Sequence, residues 1–137
     1  MAFPVDEKFI LEAEGKLALR PPLSYKSRIR QNNGGELEAM DDIWQLYPVF
    51  DTSDRKRIAR TGNDIVRETA KAREWKSFPS DAVAFADNGT GDKLVFTPFS
   101  ENPAQLGEAV YFWDHETGKL ELISDDLADL LNGLEDA

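Results

Sequence analysis

The sequence predicts an α+β fold: one antiparallel sheet of about five or six strands with about four helices packed around it. Three observations predict it. Apolar, β-prone runs at Ala82–Ala86 and Lys93–Thr97 flank the turn Asn88-Gly89-Thr90-Gly91, and runs at Val110–Asp114 and Leu120–Ile123 flank a charged turn closed by Gly118. Runs joined this way form hairpins, and hairpin strands pair antiparallel. Segments with apolar residues at helical spacing precede the strands, interrupt them and follow them. Finally, 137 residues of which 41% are hydrophobic suffice for one core, so residues 1–137 are expected to form a single domain.

Asp6 to Glu14 reads as a first helix, with Asp6 as N-cap, Phe9, Ile10 and Ala13 on one face, and Gly15 placed to end it. Pro21-Pro22 then opens a second, Leu23 to Gln31, because proline pre-sets the φ of a first helical turn. Leu23, Tyr25 and Ile29 point inward in this reading, and Asn32-Asn33-Gly34-Gly35 stops the helix. Glu36 to Val49, with Ile43, Trp44, Leu46 and Tyr47, reads as one strand or two short ones ending at Pro48. Thr52-Ser53-Asp54 supplies caps for a long helix from about Asp54 to Trp75. Its stripe is Ile58, Thr61, Ile65, Thr69, Ala72 and Trp75, locally weakened by Gly62. Between the two hairpins, Pro98, Asn102, Pro103 and Gly107 mark a loop. Ser124 caps a last helix with Asp125 and Asp126 at its positive end and Leu127, Leu130, Leu131 and Leu134 on one face.

Charge narrows the function. The net charge is −10, from 26 acidic and 16 basic residues, which opposes nucleic-acid phosphate and acidic membranes and favours a basic partner. Residues 55 to 76 hold eight of the basic residues against Asp64, Glu68 and Glu74, so this segment is +5 and the remainder −15. Pairing of Asp64 with Arg60 and Arg67, and of Glu68 with Lys71, along a helix makes the basic segment a solvated face rather than a phosphate site. No apolar run approaches the ~20 residues of a membrane span, and the charged start argues against a cleaved signal peptide, which leaves the cytoplasm as the expected compartment. The absence of cysteine removes disulfides, thiolate catalysis and cysteine zinc sites.

Few residues could carry chemistry. Asp87, Asn88 and Asp92 do not make a calcium loop, because an EF-hand starting at Asp87 would need its bidentate Glu where Pro98 stands. They are expected to form a polar turn held by Asp-to-backbone bonds. His115, the single histidine, reads as an exposed turn residue with Asp114 and Glu116 as neighbours and no second imidazole or thiol for a metal. A carboxylate pair drawn from Asp87, Asp92, Asp114 and Glu116 is the weakest reading, a small hydrolase. Trp44, Tyr47, Tyr111 and Trp113 read first as core residues, and any that face outward are anchor candidates for a partner.

In order along the chain, Glu14, Leu17 and Leu19 before Pro21-Pro22, Tyr25, Asn33-Gly34-Gly35, Ile43-Trp44, Phe78-Pro79, Asp87 to Asp92, and Val110-Tyr111-Phe112-Trp113-Asp114-His115 resemble the SUKH superfamily. That superfamily includes fungal cell-wall-assembly regulators of the Smi/Knr type and bacterial immunity proteins. The resemblance implies helices around one sheet, no catalytic residues, no cofactor and no metal. It further implies a protein partner, in bacteria a polymorphic toxin, often a nuclease, with an intracellular regulator or scaffold as the alternative; the acidity of this chain suits a basic toxin domain. The residues expected to meet the partner are Asp87, Asp92, Tyr111, Trp113, Asp114, His115, Glu116 and Trp44.

Overall fold

A computed structural model of the chain describes the backbone of residues 3–135 and the side chains of residues 3–131. Two helices come first, α1 (Glu7–Leu17) and α2 (Leu23–Gln31), then strands β1 (Glu36–Ala39) and β2 (Asp42–Leu46), helices α3 (Arg55–Arg60) and α4 (Ile65–Ala72), strands β3 (Val83–Asp87), β4 (Lys93–Phe96), β5 (Pro98–Phe99), β6 (Asn102–Leu106), β7 (Val110–Trp113) and β8 (Leu120–Ser124), and helix α5 (Leu127–Glu135). Six strands form one antiparallel sheet in the order β1-β2-β3-β4-β7-β8, and β5 and β6 form a separate pair. This is the α+β fold that the sequence predicts. Among the described residues no helix is long and apolar enough to cross a membrane.

Helix α1 starts where Asp6 accepts the Lys8 N–H at 3.0 Å, but it passes Gly15 and ends at Ala18, whose left-handed φ of +57° closes the last turn onto Glu14. In α2, Tyr25 and Ile29 are buried as expected, whereas Leu23 is 67% exposed. Leu23 is the first residue after Pro22 and projects from the helix end rather than from its packed face. The segment 36–49 is a hairpin. Its two-residue turn, Met40-Asp41, has φ of +55° and +59°, the left-handed pair of a type I′ turn without a glycine to signal it.

The expected long helix is two. Thr61 caps α3, its Oγ1 donating to Arg57 O at 2.7 Å and accepting the Asp51 N–H at 3.0 Å. Asp64 then caps α4 by accepting the Arg67 N–H, and the Ile65 N–H bonds Pro48 O at 2.8 Å instead of a preceding turn of helix. Thr61-Gly62-Asn63-Asp64 thus favours a stop and a restart over continuation. Ile65, Thr69 and Ala72 stay in the core, while Ile58 and Trp75 are exposed. The expected loop at 98–107 contains β5 and β6, tied to the first helices by Arg20 N–H to Ala104 O and Leu106 N–H to Arg20 O.

At the centre, Phe85 stacks on Phe96 with ring centroids 4.0 Å apart, and Tyr25 meets both edge-on. The Tyr25 hydroxyl donates to Tyr47 O at 2.6 Å, and burial raises its pKa well above that of a free phenol. β3 carries a bulge between Ala84 and Ala86, so part of the Ala84 backbone needs another partner. The buried Thr69 hydroxyl supplies it, accepting the Ala84 N–H and donating to Ala84 O, both at 3.1 Å. On the final helix Leu127 is buried and Leu130 and Leu131 pack against the core, while Leu134 lies outside the described side chains.

Candidate functional site

Strand register decides which acidic residues meet. Glu36, Gln45, Asp87, Lys93, Trp113 and Leu120 are successive cross-strand partners from β1 to β8, so they form one row on one face of the sheet. Because Lys93 opposes Trp113, the residues just beyond them, Asp92 and Asp114, are brought side by side, and the turns 88–92 and 114–119 meet at one end of the sheet.

Hydrogen bonds organise both turns. In the first, Asp87 Oδ1 accepts the Gly89 N–H and Asn88 Oδ1 accepts from the Thr90 N–H and hydroxyl, the Asp-bonded polar turn that the sequence predicts. In the second, Asp114 Oδ1 accepts the Glu116 N–H at 2.8 Å. Between them, His115 Nδ1 lies 2.7 Å from Asp92 Oδ1. Gly91 permits that approach, since a Cβ there would press on the imidazole at 3.1 Å. His115 is therefore half-buried and partnered, not the freely exposed turn residue expected. The hydrogen bond to Asp92 raises its pKa above the ordinary 6.5. For Asp92, burial pushes upward, yet the His115 side chain and backbone and the Thr90 hydroxyl together hold it below the ordinary 3.8.

A second network lies one row inward. Tyr47 donates its hydroxyl to Asp87 Oδ2 at 2.6 Å and accepts from Lys93 Nζ at 2.7 Å, with Lys93 Nζ also 3.9 Å from Asp87 Oδ2. Burial first, and then the Asp87 hydrogen bond, raises the Tyr47 pKa far above the ordinary value, so it remains a neutral donor.

The aromatic members of the predicted set are divided by burial. Trp44 and Trp113 are 1% and 0% exposed and so lie in the core rather than on a contact surface. Trp44 meets Phe112 edge-on and donates its indole N–H to Ala39 O, whereas Trp113 is wedged between Phe78 and Trp75. Trp44 on β2 and Trp113 on β7 stand on opposite faces of the sheet, and both faces are covered there. Tyr111, Asp87, Asp92, Asp114 and His115 are half-buried, and Glu116 is exposed.

Helical spacing places Trp75 in a buried stripe. It is 51% exposed, its ring edge-on to Trp113 at 6.1 Å and to His115 at 6.0 Å. It joins the site because α4 ends at Ala72 and the following turn carries it over the sheet.

Asp92, Asp114 and His115 place possible ligand atoms within 4.8 Å of one another. A cation there would compete with the His115, Thr90 and Glu116 hydrogen bonds already held by the two carboxylates. On another flank a cavity of 490 Å³ is bordered by Asn33, Gly34, Glu36, Gln45, Arg57 and Arg60. Arg57 lies 4.0 Å from the buried Asp51, and both guanidinium groups rest over the Phe3 ring, so the basic segment is partly self-engaged.

The family model described as SMI1 / KNR4 family (SUKH-1) matches residues 4–133. The chain belongs to this family. No curated protein matches the chain. SUKH-1 proteins are immunity and regulatory modules that act through protein contacts and are generally not catalysts. Hydrogen-bonded carboxylates at the end of a sheet suit that role, since Asp87, Asp92 and Asp114 are held in place by neighbouring groups. In this SUKH-1 domain, Asp92 orients His115 through Nδ1, and His115 in turn meets the half-exposed Trp75 edge-on.

Proposed function

We propose that this SUKH-1 domain is a non-enzymatic, cytoplasmic immunity protein that binds and neutralises a basic toxin domain. The single observation that carries the reading is the charge distribution: net −10, with the basic excess confined to residues 55–76 and −15 elsewhere. A toxin that grips phosphate is basic, and an acidic inhibitor is steered to it and can cover its active surface. The gathering of Asp87, Asp92, Asp114 and Glu116 at one end of the sheet supports this, because the first three carboxylates are held by hydrogen bonds and lose little side-chain freedom on binding.

The experiment begins with the gene beside this one. Its product, purified as a domain, is titrated with the SUKH-1 chain by calorimetry at rising ionic strength, and its toxicity is measured with and without co-expression. A neutralising complex whose affinity falls steeply with salt is expected. Affinity independent of salt overturns the electrostatic reading, and turnover of a small substrate that disappears in Asp92→Asn overturns the non-enzymatic one.

One observation favours a regulatory scaffold as the second reading. The exposed Arg55, Lys56 and Arg60 on α3 give the domain a basic face besides its acidic end, which two partners of opposite charge could use at once.

A further inference from the structure

We propose that β8 is a docking edge, onto which an extended, basic segment of a partner protein adds as a seventh strand of the sheet. The inference rests on the protein-binding reading above and specifies its surface.

The two edges of the sheet differ. At β1, α5 packs along the strand, and Glu36 and Glu38 point outward. At β8, Leu120 and Leu122 are 38% and 50% exposed, and among the described residues β7 is the one strand paired with it. Native edges are ordinarily blunted by proline, by charge or by cover. The run Leu120-Glu121-Leu122-Ile123 has no proline and a single charge.

The backbone there is open as well. Asp114 N–H bonds Lys119 O, and antiparallel pairs alternate between bonded and non-bonded. It follows that Trp113–Leu120 and Tyr111–Leu122 are non-bonded pairs, and the N–H and C=O of Leu120 and Leu122 face away from β7. Among the described residues no other backbone group meets them. The register shift at the Val110 end closes this stretch, leaving Leu120 to Leu122 as the free ladder.

Side chains extend the same site. Leu120 and Leu122 share a face with Trp113 and Tyr111, and the exposed Trp75 lies against Trp113. An apolar strip of Leu120, Leu122, Tyr111 and Trp75 thus borders an open ladder, the combination that strand addition uses: main-chain bonds for affinity and alternate side chains for selectivity. Charge identifies the occupant. Residues 114–126 contain Asp114, Glu116, Glu121, Asp125 and Asp126 against Lys119 and the Asp92-paired His115. A second copy would set these carboxylates against their own counterparts, whereas a strand alternating basic and apolar residues matches both the rim and the strip.

The test uses the full chain and a short synthetic peptide of alternating Lys and Val, followed by amide hydrogen exchange and NMR. Protection of the Leu120 and Leu122 N–H groups on adding the peptide is expected, with no comparable binding of the matching Glu-Val peptide. Leu122→Pro, which removes one outward donor, should weaken binding about tenfold. Leu120→Lys leaves the backbone intact at an exposed position and should weaken binding about fivefold. Protection appearing at β1 or around Arg57 instead, equal binding of the Glu-Val peptide, unchanged affinity in either folded variant, or protection of both amides through self-association without peptide each overturns the proposal. A toxin domain bound while both amides still exchange freely overturns the edge alone. If no basic protein binds in a salt-sensitive way, the broader reading falls with it.

Discussion

The Nδ1 of His115 lies 2.7 Å from Asp92 Oδ1, and the same oxygen accepts the His115 backbone N–H at 3.1 Å. One carboxylate oxygen therefore ties the turn after β7 to the turn before β4 by two bonds. The raised His115 pKa means that its stabilisation is fully present below the unfolded value of 6.5 and is lost as pH rises through the higher folded value. The lowered Asp92 pKa means that its stabilisation is present above 3.8 and is lost as pH falls through the lower folded value. Between these limits the charged pair is complete. Asp92→Asn keeps an acceptor for both N–H groups but removes the charge. Its melting temperature should fall below the wild type's mainly between the two limits, with the gap narrowing at alkaline pH. A gap that widens above neutrality in a pH series of melting curves contradicts the ionic pairing.

Thr69 is the partner that the β3 bulge requires. Replacing it with Val keeps the shape but leaves the buried Ala84 N–H and C=O without their hydroxyl, an expected loss of about 2–3 kcal/mol. Thr69→Ser retains the hydroxyl and should recover most of that. Urea denaturation of the two variants separates lost packing from lost hydrogen bonds.

Elements announced by local chemistry were legible in the sequence. Asp6, Pro22 and the turns around Gly89, Gly91 and Gly118 mark their places through capping, fixed φ or positive φ, all set by neighbouring residues. What was not legible depends on distant partners. Thr61 and Ile65 break the long helix because Asp51 and Pro48, from the preceding connection, take their hydrogen bonds. Met40-Asp41 adopts a left-handed turn that Met40 does not favour, imposed by the pairing of β1 with β2. The acidic members of the site could be named singly, but their meeting follows from the register of Lys93 against Trp113. Trp75 leaves its expected stripe because α4 ends at Ala72, and helical spacing says nothing of where a helix stops.

Gly118 has φ of +74°, and a Cβ there would overlap the Ser77 side chain. Gly89 has φ of +87° with open space around it. Gly89→Ala should therefore cost only the left-handed penalty of about 1 kcal/mol, and Gly118→Ala more. Adding Ser77→Gly to Gly118→Ala should recover the excess and leave the backbone penalty. Equal destabilisation of the two alanine variants by thermal melting would show that Ser77 yields without cost.

Trp113 and Trp75 touch each other but should answer differently to truncation. Trp113 is fully enclosed, with Phe78 at 5.1 Å and Trp75 at 6.1 Å, so Trp113→Ala removes a large core side chain. A loss of about 3–5 kcal/mol is expected, seen in denaturant unfolding as a lower midpoint. Trp75 is half in solvent and gives up only its edge contacts, so Trp75→Ala should cost about 1 kcal/mol. If Trp75 belongs to the apolar strip beside β8, its truncation should weaken partner binding far more than it weakens the fold, because an exposed aromatic becomes fully desolvated only in a complex. Measuring unfolding and binding on both variants sets the core tryptophan apart from the surface one. A Trp75→Ala variant that unfolds as readily as Trp113→Ala would place both rings in a single structural unit.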